Sequence, residues 1–434
     1  MLKHYKALTV CTLALGIALT STIYAMAEDL PTLPEPASEE NTGTATTIKE
    51  MFTKGTTSGQ IRLGFISLDP KASGNSSLSD FALGGQLKFE TASLHGISLG
   101  AALYTSHSLT QADDDDFNDE LASSDQYYDI LAEAYIDYAL ADLSLRVGRQ
   151  QIDTPFADTD DIRMTPHTFE AITAHYTYSD FTFDTGYLTR WQGVDAGYPD
   201  NADFGDLIEG SDGTVMLGGT YGTDFIETSA WYYGIIDFAN IFYIDAVAPF
   251  EITEDFSLTL GAQFTTQNDA TNEETFSEFD AEVGGELYGV MAEFEAYGFT
   301  FGGAYTHASV NEGEQLFGGF GGGPFYTNID TLVANEFAAG QDANSYTLSL
   351  GYNFEEVNVE GLNIGYTFGH YEGGEDAQDK TADIEVIEHN FYIEYEFLED
   401  WSLDAVYVIS QDQGSGDKTD WDYNRAQLRL NYTF

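Results

Sequence analysis

Ser345-Tyr346-Thr347-Leu348-Ser349-Leu350-Gly351-Tyr352-Asn353-Phe354 decides how the rest of the chain is read. Its even-numbered residues are apolar or aromatic, and its odd-numbered ones are small or polar. Side chains of a β-strand point alternately to opposite faces, so a period of two describes a strand between two different environments. Leu362, Ile364, Tyr366 and Phe368 repeat the pattern against Asn363, Gly365, Thr367 and Gly369. Phe391, Ile393, Tyr395 and Phe397 do so again, opposite Asn390, Tyr392, Glu394 and Glu396. From Arg425 to Phe434 the chain ends in the same alternation.

A soluble β-sandwich alternates too, so the period does not settle the fold. Three further features do. Aromatics gather at the ends of the apolar faces, as in the interfacial girdles of a membrane barrel. The polar faces hold Gly, Thr, Asn, Asp and Arg, which suit a wet lumen and not a dry core. Connections alternate between tight turns (Ala141-Asp142, Tyr178-Ser179-Asp180, Gly222-Thr223, Leu398-Glu399-Asp400) and long loops. The long ones include 106–125, 152–165, 191–211, 308–343 and 371–383. Eighteen candidate strands follow one another, centred from near residue 62 to near residue 428. These features predict an all-β fold, a transmembrane antiparallel up-and-down β-barrel of about 18 strands, with both termini in the periplasm. A barrel of that size encloses water.

The start of the chain has a different character. Lys3 and Lys6 precede an apolar run, Ala7 to Leu19, and Ala25-Met26-Ala27 supplies a small-x-small cleavage pattern. Residues 1–27 therefore read as a signal peptide, since a membrane anchor needs roughly 20 apolar residues. Residues 28–57, with Pro31, Pro34 and Pro36 and a helix-like patch at 48–52, read as a flexible periplasmic leader. The barrel is expected over 58–434. Cys11 is the only cysteine and falls inside the signal, so no disulfide or cysteine metal site is expected.

The net charge of the full chain is −58. Losing Lys3 and Lys6 leaves thirteen basic residues against 73 acidic ones, a net charge of about −60. Such an excess excludes nucleic acid as a partner and suits acidic surface loops or a pore that attracts cations. The expected partners are outer-membrane lipid and lipopolysaccharide outside and small polar solutes inside, with no cofactor.

None of the basic residues falls between Arg190 and Lys380. Arg62 lies on the first predicted strand, and Arg425 and Arg429 on the last, which barrel closure makes neighbours. An arginine facing lipid at mid-depth costs roughly 2–4 kcal/mol, so all three are expected to face water. Asp129, Glu133, Asp137, Glu394, Glu396 and Asp404 take the polar faces of their strands. The expectation is a basic strip on one wall facing acid on another, a transverse field for charged solutes. The alternative is that the arginines pair with nearby carboxylates and stiffen the wall. A second constellation runs from Val147 to Glu170, where a strand leads into a loop bounded by Pro155 and Pro166. In it Asp160, Asp161 and Arg163 can pair, and a loop so stiffened could fold inward and narrow the pore.

That constellation, a strand followed by a Pro loop, Asp161-x-Arg163 and Pro166-x-x-Phe169, resembles the OprD-type porins of Gram-negative bacteria. Gly59-Gln60-Ile61-Arg62-Leu63-Gly64 resembles the first strand of the branch common in ε-class proteobacteria. Gly321-Gly322-Gly323-Pro324-Phe325-Tyr326 resembles part of the family's late constricting loop. Tyr432 and Phe434 resemble its C-terminal signal for the barrel-assembly machinery. The resemblance covers about residues 48–434. It implies an eighteen-stranded barrel, monomeric or a homotrimer, constricted by the third and seventh surface loops. It also implies diffusion of small, often charged nutrients along an arginine ladder. By position the ladder would be Arg146, Arg149, Arg163, Arg190, Arg425 and Arg429. Arg149 has the parity opposite to Arg146 and joins the row only if its strand ends there.

Other sites are weaker. Asp113–Asp116 lacks the spacing and glycine of a calcium loop and reads as a solvated acidic run. Taken alone, the glycine–phenylalanine stretch 317–325 reads as a flexible loop tip. Gly96-Ile97-Ser98-Leu99-Gly100 matches a nucleophile elbow in form, but such an elbow needs a strand-to-helix turn, and here the context is an alternating strand. An enzyme is not expected. Two readings remain: a porin passing small polar or charged solutes (ions, amino acids, small carboxylates), and a surface structural protein or adhesin with acidic loops.

Overall fold

The computed structural model describes residues 44–434 apart from 73, 111–116, 197–203, 254, 271–281, 376–382 and 415–418. The expected signal peptide, most of the leader and the run Asp113–Asp116 lie outside the described residues. Eighteen long strands follow in chain order. The first seven are β1 (Thr56–Pro70), β2 (Leu78–Glu90), β3 (Ile97–Ser108), β4 (Tyr127–Leu140), β5 (Leu143–Gln150), β6 (Thr168–Tyr178) and β7 (Phe181–Gln192). Next come β8 (Thr214–Thr223), β9 (Ile226–Ile235), β10 (Ala239–Thr253), β11 (Phe256–Asp269), β12 (Gly285–Ala296) and β13 (Phe299–Ser309). The last five are β14 (Ala343–Asn353), β15 (Leu362–Glu375), β16 (Asp383–Leu398), β17 (Trp401–Asp412) and β18 (Tyr423–Thr433).

Each strand pairs antiparallel with its neighbours in sequence, and β18 closes on β1 from Gln60↔Thr433 to Pro70↔Tyr423. The seam reaches the last residue: the Phe434 amide donates to the Gly59 carbonyl at 3.0 Å, and the Gly59 amide returns the bond at 2.9 Å. Closure leaves no unpaired sheet edge, the condition for a β-structure to cross lipid. The fold is thus a closed 18-stranded antiparallel β-barrel. Its tight turns take positive φ at Ala141, Ser179 and Tyr297, which matches the twist of the strands they join. Gly96 belongs to the turn before β3 and not to the strand.

The deciding stretch behaves as its alternation requires. Leu348 is 57% exposed and Leu350 42%, while Ser345 and Thr347, on the opposite face of the strand, are buried inside the barrel. The same outward face carries Ile61, Leu83, Leu131, Val147, Ile172 and Phe301 around the circumference. Soluble monomers do not expose an apolar belt of this extent, so lipid is its solvent. Tyr178, Phe181, Tyr297, Phe299, Trp401 and Phe434 crowd the turn end of that belt. A short helix, Ile48–Thr53, capped by Thr47, buries Met51 against Ala92 beside the β2–β3 turn.

The largest buried cluster lies inside the barrel, toward the long-loop end. There the third loop (residues 151–167) and the seventh (310–342) fold inward. Phe156, Trp191, Phe238, Phe320, Phe325 and Phe337 belong to it.

Candidate functional site

The inward loops are held by the seam of the barrel. On β1 the Arg62 guanidinium makes two parallel bonds to the Asp161 carboxylate, at 2.6 and 2.7 Å. It also donates to the Arg163 carbonyl at 2.8 Å and to Asn431 on β18 at 2.7 Å. Arg429 donates to the Asp161 carbonyl and, at 2.5 Å, to Asp404. Gln427 donates to the Ile162 carbonyl at 2.9 Å. Three consecutive carbonyls of the third loop therefore rest on β18 and β1. Two fixed donor forks and an amide hold a backbone segment in one register, because each offers directional bonds that water would otherwise take.

A second tie passes through Glu120 of the second loop (residues 109–126). Its Oε2 accepts from Arg163 at 2.6 and 2.7 Å and from Arg425 at 3.3 Å. Arg425 also bonds Asp330 of the seventh loop at 2.6 Å. Burial alone would raise the Glu120 carboxyl, but Arg163 and then Arg425 overcome it and hold it at about 2. One carboxylate thus separates two buried guanidiniums and joins two loops to the wall.

The glycine–phenylalanine stretch is not a flexible tip. Phe317, Phe320 and Phe325 are buried, and Phe320 meets Trp191 edge-on at 5.6 Å while Phe325 meets Phe156 at 6.0 Å. The third and seventh loops also exchange backbone bonds, Asp158 amide to Phe320 carbonyl at 2.8 Å and Phe320 amide to Phe156 carbonyl at 3.0 Å. Gly319 and Gly321 permit this approach. A Cβ on Gly321 would sit 2.6 Å from the Asp158 carbonyl oxygen, and its φ is +101°. Low complexity here reflects backbone packed on backbone, not mobility.

The structure brings Arg62, Arg163, Arg425, Arg429 and Asp161 together, but as an anchor. Side-chain exposure is 3% for Arg62 and Arg425 and 1% for Arg163. These three guanidiniums lie under the loops, bonded to them and not turned to the lumen. The expected pairing among Asp160, Asp161 and Arg163 is also corrected. Asp161 binds Arg62 and Arg163 binds Glu120 because the loop is stretched between the seam and the second loop.

The remaining candidates fall in separate groups. Arg146 is paired in register with Asp137 at 2.7 and 2.9 Å and lies over the Tyr135 ring. Glu133 binds Lys88 at 3.0 Å. Arg149 sits one residue before the end of β5, on Glu170 at 3.0 Å and over Phe204, and Arg190 approaches the same Glu170 at 3.8 Å. Asp129 does not face the lumen. A bulge at Ala132 reverses the parity of β4, and Asp129 bonds Thr105 and His107 on the outer face. Glu394 and Glu396 lie on the inward face of β16, beside Asp404 and Ser402 of β17. The acidic wall opposite the basic strip is therefore corrected as well: Asp404 pairs with Arg429 and Asp137 with Arg146, side by side on neighbouring strands. Acid with no ion-pair partner among the described residues does line the far wall, where Glu227, Asp245 and Glu293 take the inward parity of β9, β10 and β12.

The sequence matches the profile of a family described as outer membrane porin, OprD family, over residues 85–434. Pseudomonas aeruginosa OccK9 (OpdG) superposes with a TM-score of 0.74 at 17% identity, covering 88% of this chain and 99% of that one. Pseudomonas aeruginosa OpdK, solved with vanillate, gives 0.74 at 16% identity with the same coverage. Acinetobacter baumannii OccAB3 gives 0.74 at 15%, again covering 88% and 99%. At such identities the likeness is one of fold. No curated protein matches the sequence significantly.

Proposed function

Because the chain belongs to the OprD family of outer membrane porins, we propose that it passes small polar or charged solutes by diffusion through a pore narrowed by its third and seventh loops. The observation that carries this is the docking of both loops inside a closed barrel whose outer belt is apolar. Lipid outside and polar side chains inside leave the lumen as the water path. The pore wall offers solutes acid more than base: Glu227, Asp245, Glu293, Glu394 and Glu396 face inward, while Arg62, Arg163 and Arg425 are spent on the loops. Solute binding at such groups must be weak enough to permit exit, which one-sided charge in a wet channel provides.

Tyr432 and Phe434 as the assembly signal, and a barrel that works as a monomer or a homotrimer, are parts of the same proposal. An adhesin with acidic loops would need no conducting lumen. Protein purified from outer membranes and added to a planar bilayer is expected to give discrete current steps. A folded barrel that inserts without conducting would return the adhesin reading.

A further inference from the structure

We propose that the short helix Ile48–Thr53 is a membrane foot that rests on the phospholipid leaflet at the tight-turn end of the barrel. Ile48 and Phe52 enter the edge of the hydrocarbon, and Lys49 and Lys54 meet the phosphates.

Six residues are too few for a helix to hold itself in water, so local bonds and packing must fix this one. The Thr47 hydroxyl accepts the Glu50 amide at 3.2 Å. The Glu50 carboxylate in turn accepts the Thr46 amide at 2.8 Å and its hydroxyl at 2.9 Å. These bonds close the first turn from both sides. Two backbone bonds then tie the segment to the β2–β3 connection. The Ala45 amide donates to the Ser93 carbonyl at 2.8 Å, and the Ala92 amide to the Met51 carbonyl at 2.9 Å. Met51 is buried there with Ala45 and Ala92, and Leu94 and Leu99 pack around them.

The point of attachment gives the direction. The Phe52 ring stacks on Phe89, with centroids 6.4 Å apart and planes 10° from parallel. Phe89 shares the parity of Phe81, Leu83 and Leu87 on β2, and Leu99 that of Ile97 and Leu103 on β3. All five of those companions are exposed on the outward face. The helix therefore sits against the lipid side of the wall and not over the lumen. Gly55 lets the chain pass beside the Phe89 ring, where a Cβ would stand 2.7 Å from Cζ.

One turn apart, Ile48 and Phe52 share a helix face, and they are 70% and 53% exposed. That face continues the aromatic girdle at the turn end of the belt, whose solvent is lipid. An apolar stripe with a basic flank at this depth is the form of an interfacial helix. The charge agrees. Two lysines against Glu50 leave residues 48–54 with a net charge of +1, in a sequence whose total is −58. So acidic a chain is repelled by anionic phospholipid, and these lysines offset that repulsion where the chain enters the leaflet. Lys54 bonds Glu50 at 3.3 Å and still keeps 46% of its side chain exposed.

The test uses protein purified from outer membranes and reconstituted into vesicles of phosphatidylethanolamine and phosphatidylglycerol. Ile48→Cys and Thr53→Cys, on opposite flanks of the helix, each carry a fluorophore. Phospholipid brominated high on its acyl chains is expected to quench the Ile48→Cys label about threefold more than the Thr53→Cys label, with iodide in the water giving the reverse order. Equal quenching of both labels by iodide would put the helix in water and overturn the foot. A label at Ile48→Cys reached by neither quencher would mean that a second copy or another part of the chain covers this face, and would overturn it too. Should the labelled chains fail to fold, the wild type decides. Trypsin should cut after Lys49 and Lys54 about threefold more slowly in vesicles containing phosphatidylglycerol than in phosphatidylcholine alone, and equal rates would count against the foot. None of these readouts depends on conduction, so the foot and the porin reading fail separately.

Discussion

Glu120→Ala is expected to widen the channel. The substitution removes the carboxylate that Arg163 bonds at 2.6 and 2.7 Å and Arg425 at 3.3 Å. Two buried guanidiniums are then left facing each other, with Asp330 still holding Arg425. Breaking a buried pair by deleting one partner costs about 3–5 kcal/mol, because the surviving charge stays out of water after losing its bonded carboxylate. The least costly relief is for the third loop to leave the wall and hydrate Arg163. Single-channel conductance should therefore rise about twofold or more, with noisier open levels, while the barrel itself remains folded. Glu120→Gln should act in the same direction but less, since it can still accept one bond. The sign with pH follows from the lowered carboxyl. Its stabilising contribution is present above the ordinary carboxylate range and fades only as pH falls toward about 2. Conductance that is indifferent to Glu120→Ala would mean that the loops are held by something else.

The second large effect is expected at Gly321. Valine there must hold φ near +101° and place its Cβ 2.6 Å from the Asp158 carbonyl oxygen. A β-branched residue in that region costs about 1–3 kcal/mol from backbone strain before the clash is counted. The seventh loop must then part from the third, losing the two backbone bonds through Phe320 and exposing Phe320 and Phe325. Limited proteolysis of membranes should cut the seventh loop of Gly321→Val at least about tenfold faster than in the wild type, since loops open in proportion to their lost local stability. Equal rates would show that the clasp between the loops is not what orders them.

Most of the fold was legible because lipid and water impose opposite demands on alternate residues. The run from Ser345 to Phe354 reports both solvents within ten positions. Closure could also be anticipated: arginines on the first and last strands needed company, and the seam supplied it. Burial of that company could not be anticipated. Alternation says which residues face inward but not whether a loop lies over them, and Arg62 and Arg425 are covered by segments about a hundred residues away from each in sequence. Glu120 and Asp330 were missed for the same reason, as two acids among 73 with no local pattern to single them out. Asp129 was misplaced by one bulged residue, which strict parity cannot detect. The glycine–phenylalanine stretch was misjudged because close backbone packing and looseness draw on the same residue, glycine.

Thiol labelling across one strand tests the central claim most directly. The sequence holds a single cysteine, Cys11, within the expected export signal, so an introduced thiol in the barrel can be read alone. Ser349→Cys and Leu348→Cys are neighbours on β14 with opposite directions. In intact outer membranes a small charged, membrane-impermeant thiol reagent should modify Ser349→Cys and reduce its current. It should leave Leu348→Cys untouched until a lipid-soluble reagent is supplied. Rapid charged labelling at Leu348→Cys with none at Ser349→Cys would place water where the account places lipid, and the barrel channel would be refuted.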